Sequence, residues 1–163
     1  MRCMCGDLTF QPVDAIVNAA NGKGWMGGFL GRYMKFRGVA ESIHFASKGQ
    51  IENEAKGFVY WSHPKPRPGD VYITGAGPLP AKCVIHAVTV DRPGSRSDIQ
   101  VVAKCLENIV RLARQRHIRS LAIPLLGTGT GKLSKIEVWH LYETFFEDVT
   151  DIEIVVVLPT HKR

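Results

Sequence analysis

The sequence predicts an α/β fold built on an open sheet whose two faces are both covered. Three observations predict it. Apolar, β-branched runs alternate along the chain with segments of helical periodicity. Several of those runs are apolar throughout, as strands buried on both faces are. Two glycine-rich loops, at 22–31 and 127–131, directly follow such runs. Open α/β sheets bind ligands there, beyond the carboxyl ends of their strands.

Residues 2–5 read as a short strand and 15–18 as a second. Helices are expected over about 28–36 and 40–56, although Ser42, Phe45, Ala46 and Gly49 are only loosely periodic. The stretch HPKPRPG, 63–69, carries three prolines and must be a loop. Strands follow at 70–74 and 83–88, separated by a Gly/Pro turn. Residues 98–116 form the clearest helix. Val101, Val102, Cys105, Ile109, Leu112 and Ala113 fall at helical spacing, with Ser97 or Asp98 as the cap. A buried strand at 121–125, a helix at 136–146 and a last β-branched strand at 152–158 complete the series.

The length of 163 residues, with 45% hydrophobic and 22% charged residues, suits a single domain over 1–163 with its own core. The N-terminus lacks the apolar core of a signal peptide, and no run approaches the roughly 18 apolar residues of a membrane span. The expectation is a soluble, cytoplasmic protein with no membrane partner. The formal net charge of +6 favours polyanions, but Lys and Arg are scattered, with one loose cluster at Arg111, Arg114, Arg116 and Arg119. That supports no more than a weak nucleic-acid contact through the basic surface. Cys3, Cys5, Cys83 and Cys105 form no CxxC pair, and no histidine pair has zinc-finger spacing. Buried free thiols, no metal and no cofactor are expected. His86 lies in an apolar run and reads as a core histidine.

The stretch DAIVNAANGKGWMGGFLG, 14–31, sets the functional question. An apolar run stops at Asn18 and Asn21, and five glycines follow within ten residues. Glycine weakens helices and strands, and one return is close backbone approach to a phosphate-bearing ligand. The second loop, GTGTGKLS, is not a Walker A motif. That motif needs glycine where Leu126 stands and Ser or Thr where Leu133 stands. Gly22, Gly24 and Gly27 do spell G-x-G-x-x-G, but NAAN separates them from the strand. Glu41, the acid at the right distance, falls inside a helical stretch.

Four segments together resemble the macro domain family. They are GDLTFQPVDAIVNAAN (6–21), GWMGGFLG (24–31), GDVYITGAGPLPAKCVIHAV (69–88) and LAIPLLGTGTGKL (121–133), in the family's order and over nearly the whole chain. The resemblance implies a three-layer α/β/α sandwich with a mixed, mostly parallel central sheet. It also implies a cleft between the two loops for ADP-ribose, free or attached to protein or nucleic acid. Asp7 would accept a hydrogen bond from the adenine amino group, with the Leu8 N–H beside it. The alternative for Asp7 is a turn cap. Asn21 would reach the distal ribose and Asn18 would brace the loop. Gly27 and Gly28, followed by Phe29 and Leu30, would let backbone N–H groups approach the pyrophosphate. Gly127, Thr128, Gly129, Thr130 and Gly131 would close over it from the other side, with Thr128 and Thr130 as extra donors. The second loop has its own alternative, a ligand-free turn.

The chain departs from the family pattern at two places. Phe29 replaces a third glycine, and the final strand ends at Leu158 and Pro159, an apolar wall where an aromatic often stacks on adenine. Catalysis has no obvious base: Asn21 is the only candidate in the loop, and Asp91, where the strand that starts at Cys83 ends, is the other group expected to approach the site. Binding of ADP-ribose or a related ADP-ribosyl metabolite is the leading reading. Hydrolysis of ADP-ribose from protein or nucleic acid, or ADP-ribose phosphate processing, is the alternative, and a nucleic-acid-binding protein is the third.

Overall fold

The computed structural model describes residues 1–160. Strand β1 (Arg2–Cys5) leads through a short 3-10 turn (Leu8–Phe10) to β2 (Ala15–Asn21), then to helices α1 (Gly28–Gly31), α2 (Val39–Ala46) and α3 (Gln50–Trp61). Strands β3 (Val71–Gly75) and β4 (Cys83–Val90) follow, then α4 (Ile99–Gln115), β5 (Ser120–Ile123), α5 (Lys135–Phe146) and β6 (Glu153–Leu158). The six strands form one sheet in the order β1-β6-β5-β2-β4-β3. Every neighbouring pair is parallel except β3 with β4.

Alternation along β2 explains the layers, because successive side chains on a strand point to opposite faces. Ala15 and Val17 join Val102, Leu106, Ile109, Val138 and Tyr142 in the cluster under α4 and α5. Ile16, between them, packs with Ile43, Ile51 and Met26 on the face under α2 and α3. Both faces are therefore covered, and the sheet is the middle layer of a three-layer α/β/α sandwich, mixed and mostly parallel as expected. Helix α4 follows its predicted stripe, and of the two expected caps Asp98 does the work, its Oδ1 accepting the Gln100 N–H at 2.7 Å.

Several boundaries differ from expectation. The helix expected over 40–56 is two helices, α2 and α3, broken where Gly49 adopts φ +86°. A side chain there would run into Arg32. Helix α1 covers one turn rather than nine residues. Strand β5 ends before Pro124, which has no N–H for a ladder. Strand β2 runs on to Asn21. Cys3 and Cys5 are exposed rather than buried, because β1 is an edge strand, and all four cysteines are free.

The parallel strands β1, β2, β4, β5 and β6 all point their carboxyl ends to one edge. That edge gathers Asp7, Asn21, the 22–31 loop, the 91–98 connection, the 124–134 loop and Leu158.

Candidate functional site

The 91–98 connection fixes both glycine loops relative to each other. The Gly22 N–H donates to the carbonyls of Val90 and Asp91, each at 3.0 Å, and the Ser97 N–H donates to the Gly131 carbonyl at 3.0 Å. Ser97 Oγ in turn donates to the Thr89 carbonyl at 2.8 Å, anchoring the connection on β4.

The first loop is held from behind by side chains. Asn21 is buried and fully engaged: its Nδ2 donates to the Trp25 carbonyl at 2.8 Å, and its Oδ1 accepts from the Lys23 and Trp25 N–H groups. Behind the loop lies Glu52 of α3, 1% exposed. Its Oε2 accepts the Met26 N–H at 2.7 Å and the Gly28 N–H at 3.0 Å, and its Oε1 accepts Lys56 Nζ at 2.7 Å. Burial pushes the Glu52 carboxyl up, but these donors outweigh it and hold the group below its ordinary value. His44, fully buried, donates from Nε2 to the Gly28 carbonyl at 2.7 Å. Its Nδ1 has no hydrogen-bond partner and lies 3.8 Å from Glu52 Oε2. A Cβ on Gly31 would sit 2.8 Å from the His44 ring, so only glycine fits there. Gly28 thus spends its N–H on Glu52. Gly27, at φ +141°, turns the chain into α1, where Phe29 and Leu30 project as exposed side chains.

The second loop is held by its own backbone. The Leu133 N–H returns to the Gly127 carbonyl at 3.0 Å, and Thr128 donates from Oγ1 to the Leu125 carbonyl at 2.8 Å. Tyr142 of α5 pins its start, accepting the Leu126 N–H at 3.1 Å and donating to the Pro124 carbonyl at 2.7 Å. Among the described residues, the N–H groups of Gly129, Thr130 and Gly131 have no protein acceptor. Consecutive backbone N–H groups left free in a glycine loop are available to an anion.

The residues expected at the adenine end lie together at the far corner. The Gly6 N–H bonds the Leu158 carbonyl at 2.9 Å, which sets Asp7 and Leu8 beside the end of β6. Asp7 Oδ1 caps the 3-10 turn, accepting the Thr9 N–H at 2.9 Å and the Thr9 hydroxyl at 2.7 Å. Its Oδ2 accepts Lys35 Nζ at 2.7 Å. Burial raises this carboxyl, and Lys35 and Thr9 more than offset it, so the group lies below its ordinary value. Leu8 is buried beneath. Asn18 sits deeper on β2, its Nδ2 donating to His86 Nδ1 at 3.1 Å. That fixes the His86 tautomer, so Nε2 donates to Thr74 Oγ1 at 2.9 Å and Thr74 donates to the Gly75 carbonyl. Burial pulls the His86 pKa down to about 3, which makes it a neutral core histidine. The Asp91 carbonyl is bonded to Gly22, and the exposed Asp91 carboxylate stands at the mouth beside the first loop.

Periodicity does not mark Glu52, His44 or Lys35. The one sequence signal for Glu52 is a carboxylate on the buried stripe of a helix with Lys56 four residues on. Among the described residues no group of three or more His, Cys, Asp or Glu side chains is placed to hold a metal, and no helix is long and apolar enough to cross a membrane. Two hollows lie away from this edge. One, of about 840 Å³, is bounded by Arg2, Glu143 and Glu153 at the amino ends of the strands. The other, of about 410 Å³, is bounded by Phe58, Tyr72 and Arg111. Neither offers the run of free backbone N–H groups found at 129–131.

Comparison with known families places residues 17–142 in a match to the family model described as the macro domain. The chain belongs to the macro domain family. A relative from Aeropyrum pernix, named an uncharacterized protein, is 38% identical over 82% of this chain and 63% of its own length. A protein named O-acetyl-ADP-ribose deacetylase from Enterobacter cloacae is 37% identical over 76% of this chain and 64% of its own. The chain thus spans somewhat under two thirds of the length of these relatives. Among solved structures, the Oceanobacillus iheyensis macrodomain with ADP has a TM-score of 0.79 at 24% identity, covering 99% of this chain and 83% of that one. The macro-domain fold and the resemblance carried by the four sequence segments are therefore established for this chain.

Proposed function

We propose that the protein binds ADP-ribose, or an ADP-ribosyl group on a larger molecule, along the carboxyl edge of its sheet. The observation that carries this reading is the row of acceptor-free N–H groups at Gly129, Thr130 and Gly131, facing an edge that also holds Asp7. A pyrophosphate suits the N–H row, because backbone donors fixed in a loop bind an anion without further ordering. An amine-bearing base suits the Asp7 carboxylate, which accepts only. The macrodomain solved with ADP and the relatives named O-acetyl-ADP-ribose deacetylase support the same ligand class. In this reading Gly27, Gly28, Phe29 and Leu30 supply shape, with Gly28 positioned by Glu52. Leu158 supplies an apolar wall for the base.

A second reading, hydrolysis at the distal ribose, is favoured by those deacetylase relatives and by the Asp91 carboxylate at the mouth of the first loop. Asn21 supports it less. Both ends of its amide are used within the loop, so it positions the loop rather than a water.

Calorimetric titration with ADP-ribose, with ATP and NAD as competitors, tests the first reading. Asp7→Asn keeps an oxygen to cap the turn but removes the charge, and it should weaken binding roughly tenfold. Absence of heat with the unaltered protein would sink the reading. Release of acetate from O-acetyl-ADP-ribose, abolished by Asp91→Asn, would establish the second.

A further inference from the structure

Strand β3 is one of the two outer strands of the sheet. Its pairing with β4 is antiparallel, so its backbone groups alternate between facing β4 and facing outward. The Val88 N–H donates to the Asp70 carbonyl at 2.9 Å, which turns Asp70, Tyr72 and Thr74 toward β4. Val71, Ile73 and Gly75 therefore turn their N–H and carbonyl groups outward. Side chains stop this outer edge at both ends. Glu54 of α3 accepts the Gly75 N–H through Oε2 at 2.9 Å, and Asn108 of α4 donates from Nδ2 to the Gly69 carbonyl at 2.8 Å. Between those stops, no loop or side-chain group among the described residues bonds the backbone of Val71 or Ile73.

The hollow of about 410 Å³ opens along the same edge, at Asp70, Val71 and Tyr72. Phe58 of α3 borders it from one face of the sheet, its ring stacked on Tyr72 with centroids 4.4 Å apart. Arg111 and Leu112 of α4 border it from the other face. Asp70 spends Oδ2 on the Arg67 N–H at 2.8 Å, and Arg111 has no carboxylate at ion-pair distance among the described residues. Proteins usually cover or blunt an open edge. A row of alternating backbone donors and acceptors is complementary to another extended backbone, which joins such an edge as an added strand. Successive side chains of that strand point to opposite faces, so one meets Phe58 and the next meets Arg111. A copy of this chain paired edge to edge about a twofold axis would bring its own Arg111 to the same face, and like charges oppose that pairing.

We infer that β3 takes up an extended segment of a partner protein as a seventh strand of the six-stranded sheet. The segment alternates apolar and acidic residues. Its apolar side chains rest on Phe58, an acid pairs with Arg111, and its backbone bonds the outward groups of Val71 and Ile73. This docking edge lies outside the cleft and does not depend on the ADP-ribose reading.

The test is amide-shift mapping by NMR on isotope-labelled protein, titrated to millimolar concentration with the peptide acetyl-Thr-Val-Glu-Val-Thr-amide. Two further peptides serve as comparators, one with Lys in place of Glu and one N-methylated along its length. The Val71 and Ile73 amides should shift with the first peptide and stay still with the methylated one. The Glu peptide should bind roughly threefold more tightly than the Lys peptide. Arg111→Glu, on the exposed face of α4, should reverse that order. Ile73→Pro removes an outward donor and no ladder bond, and should weaken the Glu peptide roughly fivefold. If that variant does not fold, Arg111→Glu still decides the matter. Still amides at Val71 and Ile73, equal binding of the methylated peptide, or an order of Glu over Lys untouched by Arg111→Glu would each overturn the inference. Shifts at these amides that follow protein concentration without peptide would overturn it too, by making the occupant a second copy of this chain.

Discussion

The two glycine-rich loops face the same edge but are built differently. The 22–31 loop takes its shape from distant side chains: Glu52 and His44, from two helices further along the chain, occupy its inward N–H and carbonyl groups. The 124–134 loop closes on itself through Gly127 and Leu133 and leaves Gly129, Thr130 and Gly131 with free N–H groups. Glycine therefore serves two purposes here. In the first loop it makes room for the supports, as Gly31 does for His44. In the second it makes the turn that exposes donors.

The largest expected effect separates the supports. Glu52→Ala leaves two buried N–H groups and Lys56 without their acceptor, and should cost about 3–5 kcal/mol of stability. ADP-ribose affinity should fall with it. Urea unfolding and calorimetry read both, and a loss under 1 kcal/mol would mean that the first loop is shaped locally after all.

Next, Gly131→Ala attacks the second loop from within. Its Cβ would lie 2.5 Å from the Gly127 carbonyl oxygen and 2.8 Å from Ser97 Cβ. A loss of about 2–3 kcal/mol is expected from such overpacking. Gly129→Ala, whose Cβ meets nothing within 4 Å, should leave the melting temperature nearly unchanged. If the two variants melt alike, the closure of this loop is not as tight as its hydrogen bonds indicate.

Acid should first weaken the sheet at β2 and β4, and then the support behind the first loop. His86, bonded to Asn18 on β2, has its pKa pulled from 6.5 to about 3 by burial. Between those values the unfolded chain binds a proton that the folded chain does not. Stability is therefore full above pH 6.5 and falls as pH drops, by about 1.4 kcal/mol per pH unit for this one group. Below the ordinary glutamate value of 4.5, the lowered Glu52 carboxyl adds a loss of the same sign as pH falls through its folded pKa. Unfolding measured across that range should be less steep for His86→Gln, and an unchanged slope would contradict the neutral buried imidazole.

The smallest effect concerns Lys35. It is half exposed, and its pair with Asp7 should be worth less than about 1 kcal/mol. Lys35→Ala should leave the melting temperature nearly constant while freeing one Asp7 oxygen, so ADP-ribose should bind slightly more tightly. Weaker binding would place Lys35 on the ligand instead.

Much of the frame was readable before any coordinate. The apolar runs of β2, β4 and β6 and the stripe of α4 are local patterns, and burial on two faces requires them. The helix breaks were less readable. Gly49 ends one helix and starts another because of φ and the packing of Arg32, and neither leaves a mark in hydrophobic spacing. The second loop's closure and its free N–H groups follow from its own residues, so its spacing exposed it. Asn21 was assigned to ribose on resemblance, while its hydrogen bonds are spent inside the loop.

By itself the sequence determined the α/β class, the positions of both glycine loops after strands, and the family, because these rest on short-range periodicity and contiguous motifs. Tertiary structure alone decided that Glu52 and His44 shape the first loop and that Lys35 sits on Asp7. Each of those joins residues sixteen or more positions apart, and such pairs meet only when the fold carries the loops to one side of the sheet.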